Sequence, residues 1–397
     1  MSVHSTIGML LRNDMDKRNL AIDIFRGLTI AMMVCVNDFW AVHDVPHFLE
    51  HYATMEDGMG LSDFIFPMFL FAMGMSVPLA LERRFMKGYS FESTIRHILS
   101  RTLALLVMGS FIVNSESGIA WNKGIYWLLM LAGIFLVWNY YPKDYKPARW
   151  LRAAGMIILV ALATAFRSPD GGLFRASWWG ILGQIGWMYL FAAFAYILCR
   201  KRWWVLAILW VVFCLVNMSV TPMRDGSVLI GGNFLADFSE SLHLGNGHSI
   251  IMALGGVICV LAGQRLEKFN LSAGLGAAAV LAILGASSHR YWIISKNLGT
   301  LPWCLFASAA SVALYTIFRT LEKKGLTGWA KPFDIAGKAT LTVYMLPYFF
   351  YSFWVFLSPS VPEWMSGWVG VAKCAAFSAL CIASAWGLGK IGIKLKI

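Results

Sequence analysis

Hydrophobic residues along this chain fall into long blocks that are separated by short polar segments. Each block is close to the roughly 20 residues that an α-helix needs to cross a bilayer's hydrocarbon core. The pattern therefore predicts an all-α polytopic integral membrane protein with about 10–12 transmembrane helices. The twelve blocks lie near residues 21–41, 62–82, 97–114, 124–141, 150–166, 178–199, 203–222, 248–264, 271–288, 302–319, 339–357 and 367–389.

Some blocks are weaker than the others. The fourth, the eighth and the ninth are short or rich in glycine, so a count of ten or eleven helices is an alternative. The first block follows a polar segment and lacks a small-residue cleavage site, so we expect it to be retained as a spanning helix.

Lysine and arginine are unevenly distributed among the segments between the blocks. If the N-terminus is cytoplasmic and the blocks alternate in direction, the cytoplasmic segments hold 24 of the 33 basic residues and the outer segments hold six. Basic loops remain on the cytoplasmic side of a membrane. The distribution therefore predicts that both termini are cytoplasmic.

The composition agrees with a membrane protein. Apolar residues make up 58% of the 397 residues, charged residues make up 14%, and the mean hydropathy is +0.64; a soluble domain carries about 25% charged residues. The net charge of +12 lies mainly in the predicted cytoplasmic loops, so we expect contact with membrane lipids and not with nucleic acid. The seven cysteines lie mostly inside apolar blocks and lack metal-ligand spacing, which indicates small buried side chains.

We expect a single transmembrane domain over residues 1–397. Its parts outside the blocks include a cytoplasmic segment at 1–20 and outer loops at 41–61 and 220–247. Residue types alone leave two function classes open, a membrane enzyme and a secondary transporter of a small sugar or organic anion. Glycine-rich helices suit a transporter, but no clear repeat relates residues 1–200 to 201–397.

Two charged residues lie inside the first block, where burying a charge is costly. Asp23 and Arg26 are three residues apart, which puts both on one helix face. They form either an ion pair at the cytoplasmic end or part of a site for an anion such as a nucleotide phosphate. Lys338 opens the eleventh predicted helix, where a lysine can extend to the headgroups.

Three of the eight histidines lie within nine residues of the first outer loop. His43, His47 and His51 are spaced four apart, which would stack them on one face of a short helix, although Pro46 interrupts the segment. A metal site, a surface loop with incidental histidines, and one catalytic histidine oriented by a carboxylate all remain alternatives. Neutral imidazole is suited to taking a proton from an acceptor.

Other polar residues lie near this loop or on the same predicted side. Asp63 opens the second block, where the helix dipole favours a carboxylate and capping alone would explain it. Asp57 precedes it, and Arg290, Lys296 and Asn297 lie before the tenth block, on the side where basic residues are scarce.

Four short motifs carry a resemblance to a known family. Residues 18–27 read RNLAIDIFRG, residues 60–74 read GLSDFIFPMFLFAMG, and between them lie VN at 36–37 and LEH at 49–51. Together they resemble the opening of the heparan-α-glucosaminide N-acetyltransferase family, whose bacterial members are similar to this chain in lacking the extra lumenal domain. KNL at 296–298 and the helix that begins at Gly337 resemble two later family segments.

The resemblance implies acyl transfer across the bilayer. Cytoplasmic acetyl-CoA would donate its acetyl group to an amino sugar or related glycan on the outer side of the bacterial inner (cytoplasmic) membrane, with no metal. It leaves open N- or O-acetylation, direct transfer or a transient acetyl-histidine, and a monomer or a homodimer.

The resemblance also assigns residues. The family's essential histidine matches His51 best, with His47 as a competing assignment, and its important asparagine matches Asn37. A family asparagine is replaced by Lys338, which puts the contacts there in doubt. On this basis the expected catalytic residues are His51, Asn37 and Asp63. The expected acetyl-CoA-binding residues are Arg26, Asp23 and Lys338, and the expected acceptor-binding residues are His47, Asp57, Lys296, Asn297 and Arg290.

Overall fold

The computed structural model describes residues 19–200, 202–229, 245–265, 270–357 and 362–397. Over these residues the chain forms α-helices joined by loops and short 3-10 helices, without any β-strand. The predicted all-α membrane fold is confirmed. Most of the predicted segment 1–20, and residues 230–244 of the predicted outer loop 220–247, lie outside the described residues.

The α-helices of the described residues are α1 (Leu20–Asn37), α2 (Leu61–Met86), α3 (Phe91–Glu116), α4 (Lys123–Trp138), α5 (Ala148–Ala165), α6 (Ile181–Cys199), α7 (Trp203–Val220), α8 (His248–Arg265), α9 (Leu271–Ser288), α10 (Leu301–Lys323), α11 (Lys331–Lys338), α12 (Thr340–Leu357) and α13 (Gly367–Lys390).

Each of the twelve predicted blocks coincides with one of these helices. Ten are long and apolar enough to cross a membrane, and the two shorter apolar helices are α4 and α8. These two are the fourth and eighth blocks, whereas the glycine-rich ninth block, α9, reaches the length of a span. The cytoplasmic placement of both termini stays a prediction.

One predicted helix start was wrong. Lys338 was expected to open the eleventh span, but it ends the separate eight-residue helix α11, and the span α12 begins at Thr340. The backbone of α11 lies against α1, because a Cβ on Gly27 would come within 1.7 Å of the Phe333 carbonyl oxygen. Glycine at position 27 therefore permits this close approach.

The described chain divides into two compact units, each assembled from separate stretches. The first unit comprises His47–Leu99, Trp187–Lys331 and the described part of Met1–Arg26; the second comprises Gly27–Pro46, Ser100–Gly186 and Pro332–Ile397. The single acyltransferase domain stays a prediction.

The first unit is built around α2, which packs against α8 and α10. Glycines bring the backbones of α2 and α8 together: a Cβ on Gly74 would lie 2.0 Å from the Ala253 oxygen, and one on Gly256 would lie 2.1 Å from the Phe71 oxygen. Small residues at such crossings are the usual means of close helix packing in membranes. The helix that carries Asp63 at its N-terminal end is thus closely packed along its middle.

The second unit packs α4 against α5 and α12, and α12 against α13. A partly buried ion pair joins its elements: the Lys373 ammonium lies 2.6 Å from the Asp38 carboxylate, to which the Tyr351 hydroxyl also donates at 3.0 Å. Asp38 follows α1 directly, so this cluster connects the end of α1 to α12 and α13.

Candidate active site

Two loops of the first unit meet at the N-terminal end of α2. One loop leads into α2 and contains the 3-10 helix His47–Leu49; the other, residues 289–300, joins α9 to α10. The Gly58 amide donates to the Ile294 oxygen at 3.0 Å, so the backbones of the two loops are joined directly. Polar side chains from both loops consequently lie side by side.

Asp63 is held in place by the start of α2. Its Oδ2 accepts hydrogen bonds from the amides of Gly60, at 3.1 Å, and Tyr52, at 3.2 Å. Gly60 is required here, because a Cβ at this position would lie 2.0 Å from the Glu50 oxygen. Capping of α2, one of the alternatives for Asp63, therefore occupies one carboxylate oxygen and leaves the other for a different partner.

That partner is His51. Its Nδ1 lies 2.7 Å from Asp63 Oδ1, and the imidazole is 48% exposed while the carboxylate is only 2% exposed. Because a carboxylate can only accept, Nδ1 carries the proton in this bond, and in the neutral ring Nε2 keeps its lone pair. A buried carboxylate thus orients an accessible imidazole whose Nε2 can act as the basic nitrogen.

Lys296 joins this pair from the second loop. Its Nζ lies 3.0 Å from Nδ1 and 3.4 Å from Nε2 of His51, and 3.8 Å from Asp63 Oδ1, an ion pair too long for a hydrogen bond. Burial lowers the pKa of Lys296, and the Asp63 carboxylate opposes that shift only in part. An amine with a lowered pKa therefore lies beside the imidazole.

Asn297 connects the two loops. Its amide donates to Thr54 Oγ1 at 3.2 Å and to the Tyr52 carbonyl at 3.5 Å. The neighbouring Ser295 hydroxyl donates to the Thr54 carbonyl at 2.8 Å. The structure thus uses the predicted acceptor-binding side chain of Asn297 to hold the loop that carries His51.

Asp57 forms a second connection between the loops. Its carboxylate lies 2.6 Å from Arg224 Nη2 and 2.8 Å from His289 Nε2, and it accepts the Ile294 amide at 2.8 Å. Burial raises the pKa of Asp57, but the hydrogen bonds from Ile294, His289 and Arg224 outweigh it, so this pKa lies below its ordinary value. The predicted acceptor-binding carboxylate is therefore engaged by protein groups.

Sequence reasoning missed Arg224 and His289 as members of this network. The available signal was the scarcity of basic residues on the predicted outer side, where Arg224 is one of six. The neighbouring candidate Arg290 is exposed and makes no ion pair with any residue in the described ranges.

His47, the competing candidate, has different surroundings. Its Nε2 lies 2.6 Å from Glu56 Oε1, and its ring stacks on Tyr52 with the centroids 4.3 Å apart. The hydrogen bond from His47 holds the pKa of Glu56 below its ordinary value. Both partners are exposed, so His47 lacks the buried carboxylate that orients His51.

The remaining predicted residues lie elsewhere. Arg26 Nη1 is 3.9 Å from Asp23 Oδ1, as the three-residue spacing predicts. Lys338 pairs with Asp334 one turn earlier in α11. Asn37 is the exposed last residue of α1 and belongs to the second unit.

The three-histidine metal alternative gains no support from the part of the chain that the structure describes. No group of three or more His, Cys, Asp or Glu side chains there is arranged to hold a metal ion.

The sequence around this site is similar to that of known proteins. Residues 18–127 match the family model described as heparan-alpha-glucosaminide N-acetyltransferase, catalytic. The chain is also similar to heparan-alpha-glucosaminide N-acetyltransferase of Mus musculus, at 29% identity over 119 residues, which is 28% of this chain and 17% of that protein. The protein of the same name from Homo sapiens is 28% identical over 110 residues, 26% of this chain and 15% of that protein.

The matched segment thus spans less than a fifth of the length of these curated relatives. It contains His51 and Asp63, whereas Lys296 and the partners of Asp57 lie beyond it. Over residues 18–127 the chain is similar to the heparan-α-glucosaminide N-acetyltransferase family, which supports membership of that family.

Proposed function

We propose that this protein is a transmembrane acetyltransferase that moves the acetyl group of cytoplasmic acetyl-CoA to an amino sugar or related glycan on the opposite side of the membrane. The observation that carries the proposal is the His51–Asp63 pair, which lies within the segment that matches the catalytic model of the family. The basic loops predicted on one side of the membrane support the cytoplasmic origin of the anionic donor.

The proposed chemistry uses His51 as a general base. Its Nε2 takes a proton from the acceptor amine or hydroxyl as that group attacks the thioester carbonyl, while Asp63 stabilises the positive charge that forms on the imidazole. The carbon–sulfur bond then breaks, and the CoA thiolate takes the proton back from the imidazolium. If the imidazole attacks first, the same groups support an acetyl-histidine intermediate.

The residues proposed for the two substrates differ in what supports them. Lys296 stands beside His51, where it can contact an acceptor or the thioester oxygen. Arg26 and Asp23 form a charged pair within α1, which suits a contact with the CoA phosphates. For four further residues, the proposed role at the site is supported by the family resemblance or by their position in the sequence. These residues are Asn37, Lys338, His47 and Arg290.

The test is acetyl transfer from acetyl-CoA to glucosamine by the purified protein in detergent. We expect His51→Gln to lower the rate by about 10²–10⁴-fold, the usual contribution of a general base. The comparison variant is His47→Gln, which removes the competing histidine four residues away; because its carboxylate partner is not buried, we expect its rate to fall much less than that of His51→Gln. Equal rates in His51→Gln and wild type would contradict the proposal.

A further inference from the structure

The ε-amino group of Lys296 lies beside the imidazole that the proposed function makes a general base. Its Nζ lies within 3.4 Å of both ring nitrogens of His51. Two other lysines of the described chain, Lys338 and Lys373, pair instead with the carboxylates of Asp334 and Asp38. An amine in contact with the base of an amine acetyltransferase meets the first geometric requirement of an acceptor.

Resting on the proposed function, we propose that Lys296 is itself an acetyl acceptor, so that the protein acetylates its own Lys296 when acetyl-CoA is bound and no sugar is present. The Lys296 side chain is mostly buried beside the imidazole, with 24% of it exposed. Burial also lowers the pKa of Lys296, which increases the share of the neutral, nucleophilic amine.

The step balances with the groups already named. His51 Nε2 takes a proton from the Lys296 ammonium, and the neutral amine attacks the thioester carbonyl to form a nitrogen–carbon bond. As the carbon–sulfur bond breaks, the attacking nitrogen gives its second proton to the departing CoA thiolate, and the imidazolium releases the first proton to solvent. The products are one acetyl-lysine, one free CoA and one proton, with no oxidant or further reactant.

Acetylation at this position would also limit the enzyme. The amide carries no charge, so Asp63 loses its ion pair with Lys296, and the added acetyl group lies next to the imidazole. A sugar amine would then have to enter the space beside the imidazole that the acetyl group occupies. The modified protein is expected to transfer acetyl groups to glucosamine more slowly than the unmodified protein.

The experiment incubates purified full-length protein in detergent with acetyl-CoA alone, and quantifies acetyl-lysine at Lys296 and Lys338 by peptide mass spectrometry. Lys338 is a matched control because it also pairs with a carboxylate but has no histidine partner among its described contacts. We expect acetylation at Lys296 to exceed that in His51→Gln by about 10²-fold, the scale of general-base catalysis, with Lys338 equal in both proteins. In wild type, excess glucosamine should suppress acetylation of Lys296 alone.

Three results would overturn the inference, each for a different reason. Acetylation of glucosamine with Lys296 no more modified than Lys338 would overturn the inference and leave the proposed function intact. Equal modification of Lys296 in wild type and His51→Gln, with no protection by glucosamine, would mark it as non-enzymatic and also overturn the inference. If neither glucosamine nor Lys296 is acetylated by folded protein, the proposed function fails and the inference fails with it.

Discussion

At the scale of single residues, the candidate site is organised by Asp63. One carboxylate oxygen accepts two backbone amides, the other accepts from His51, and the Asp63 carbonyl accepts the indole N–H of buried Trp303 at 3.1 Å. A carboxylate with this many partners has little freedom to rotate. The orientation of the imidazole therefore follows from the fold of the α2 N-terminus.

Replacing this carboxylate tests its role. In Asp63→Asn the side chain keeps its shape but loses the charge that would stabilise an imidazolium, so we expect the transfer rate to fall by about 10²-fold or more. The amide nitrogen would also face either His51 or two backbone N–H groups, which should cost about 1–3 kcal/mol of stability. Rates with glucosamine and thermal unfolding midpoints in detergent measure the two effects.

The control for this change is Glu56→Gln, which alters the carboxylate that pairs with His47. Glu56 is exposed, and exposed ion pairs contribute little, so this variant should resemble wild type in both measurements. An Asp63→Asn protein as active as the Glu56→Gln protein would show that His51 does not depend on its buried partner.

The sequence predicted some of these residues but not their contacts. The hypothesis of one histidine with a carboxylate orienter anticipated the kind of pair that His51 and Asp63 form, because both lie within one short segment. Lys296 is 245 residues from His51, and Arg224 is 167 residues from Asp57. No local pattern encodes such pairings, which arise because α2 packs against α10 and the loops before these two helices therefore meet.

At the scale of secondary-structure elements, hydropathy was sufficient to locate the twelve apolar helices because each must be long and apolar to lie in a bilayer. The short helix α11 was missed for the same reason: it has eight residues, three of them charged, and its backbone packs against Gly27 of α1. Such a helix depends on a tertiary contact that hydropathy does not report.

Close packing of α2 and α8 yields a prediction at this scale. A Cβ on Gly74 would lie 2.0 Å from the Ala253 oxygen, so Gly74→Ala must push the two backbones apart and should cost about 1–3 kcal/mol. The control is Gly276→Ala in α9, where a Cβ meets nothing within 4 Å; there alanine should be neutral or stabilising by up to about 1 kcal/mol. Thermal unfolding in detergent compares them, and equal midpoints would contradict this account of the helix contact.

At the scale of the whole molecule, the described chain forms two compact units from interleaved stretches, and the single transmembrane domain stays a prediction. Hydropathy identifies spans but carries no information about which spans pack together. The family match covers residues 18–127 and therefore includes parts of both units, while the second loop of the candidate site lies in the remainder of the chain.

Acetyl transfer from one side of a bilayer to the other can be measured directly. Purified protein would be reconstituted into vesicles with glucosamine trapped inside and acetyl-labelled acetyl-CoA added outside, with His51→Gln vesicles as the control. We expect labelled N-acetylglucosamine to form inside wild-type vesicles while CoA is released outside, and His51→Gln vesicles to form about 10²-fold less or lower still. Passage of unmodified sugar across the membrane with no labelled product, in vesicles that hold folded protein, would contradict the account and favour a transporter.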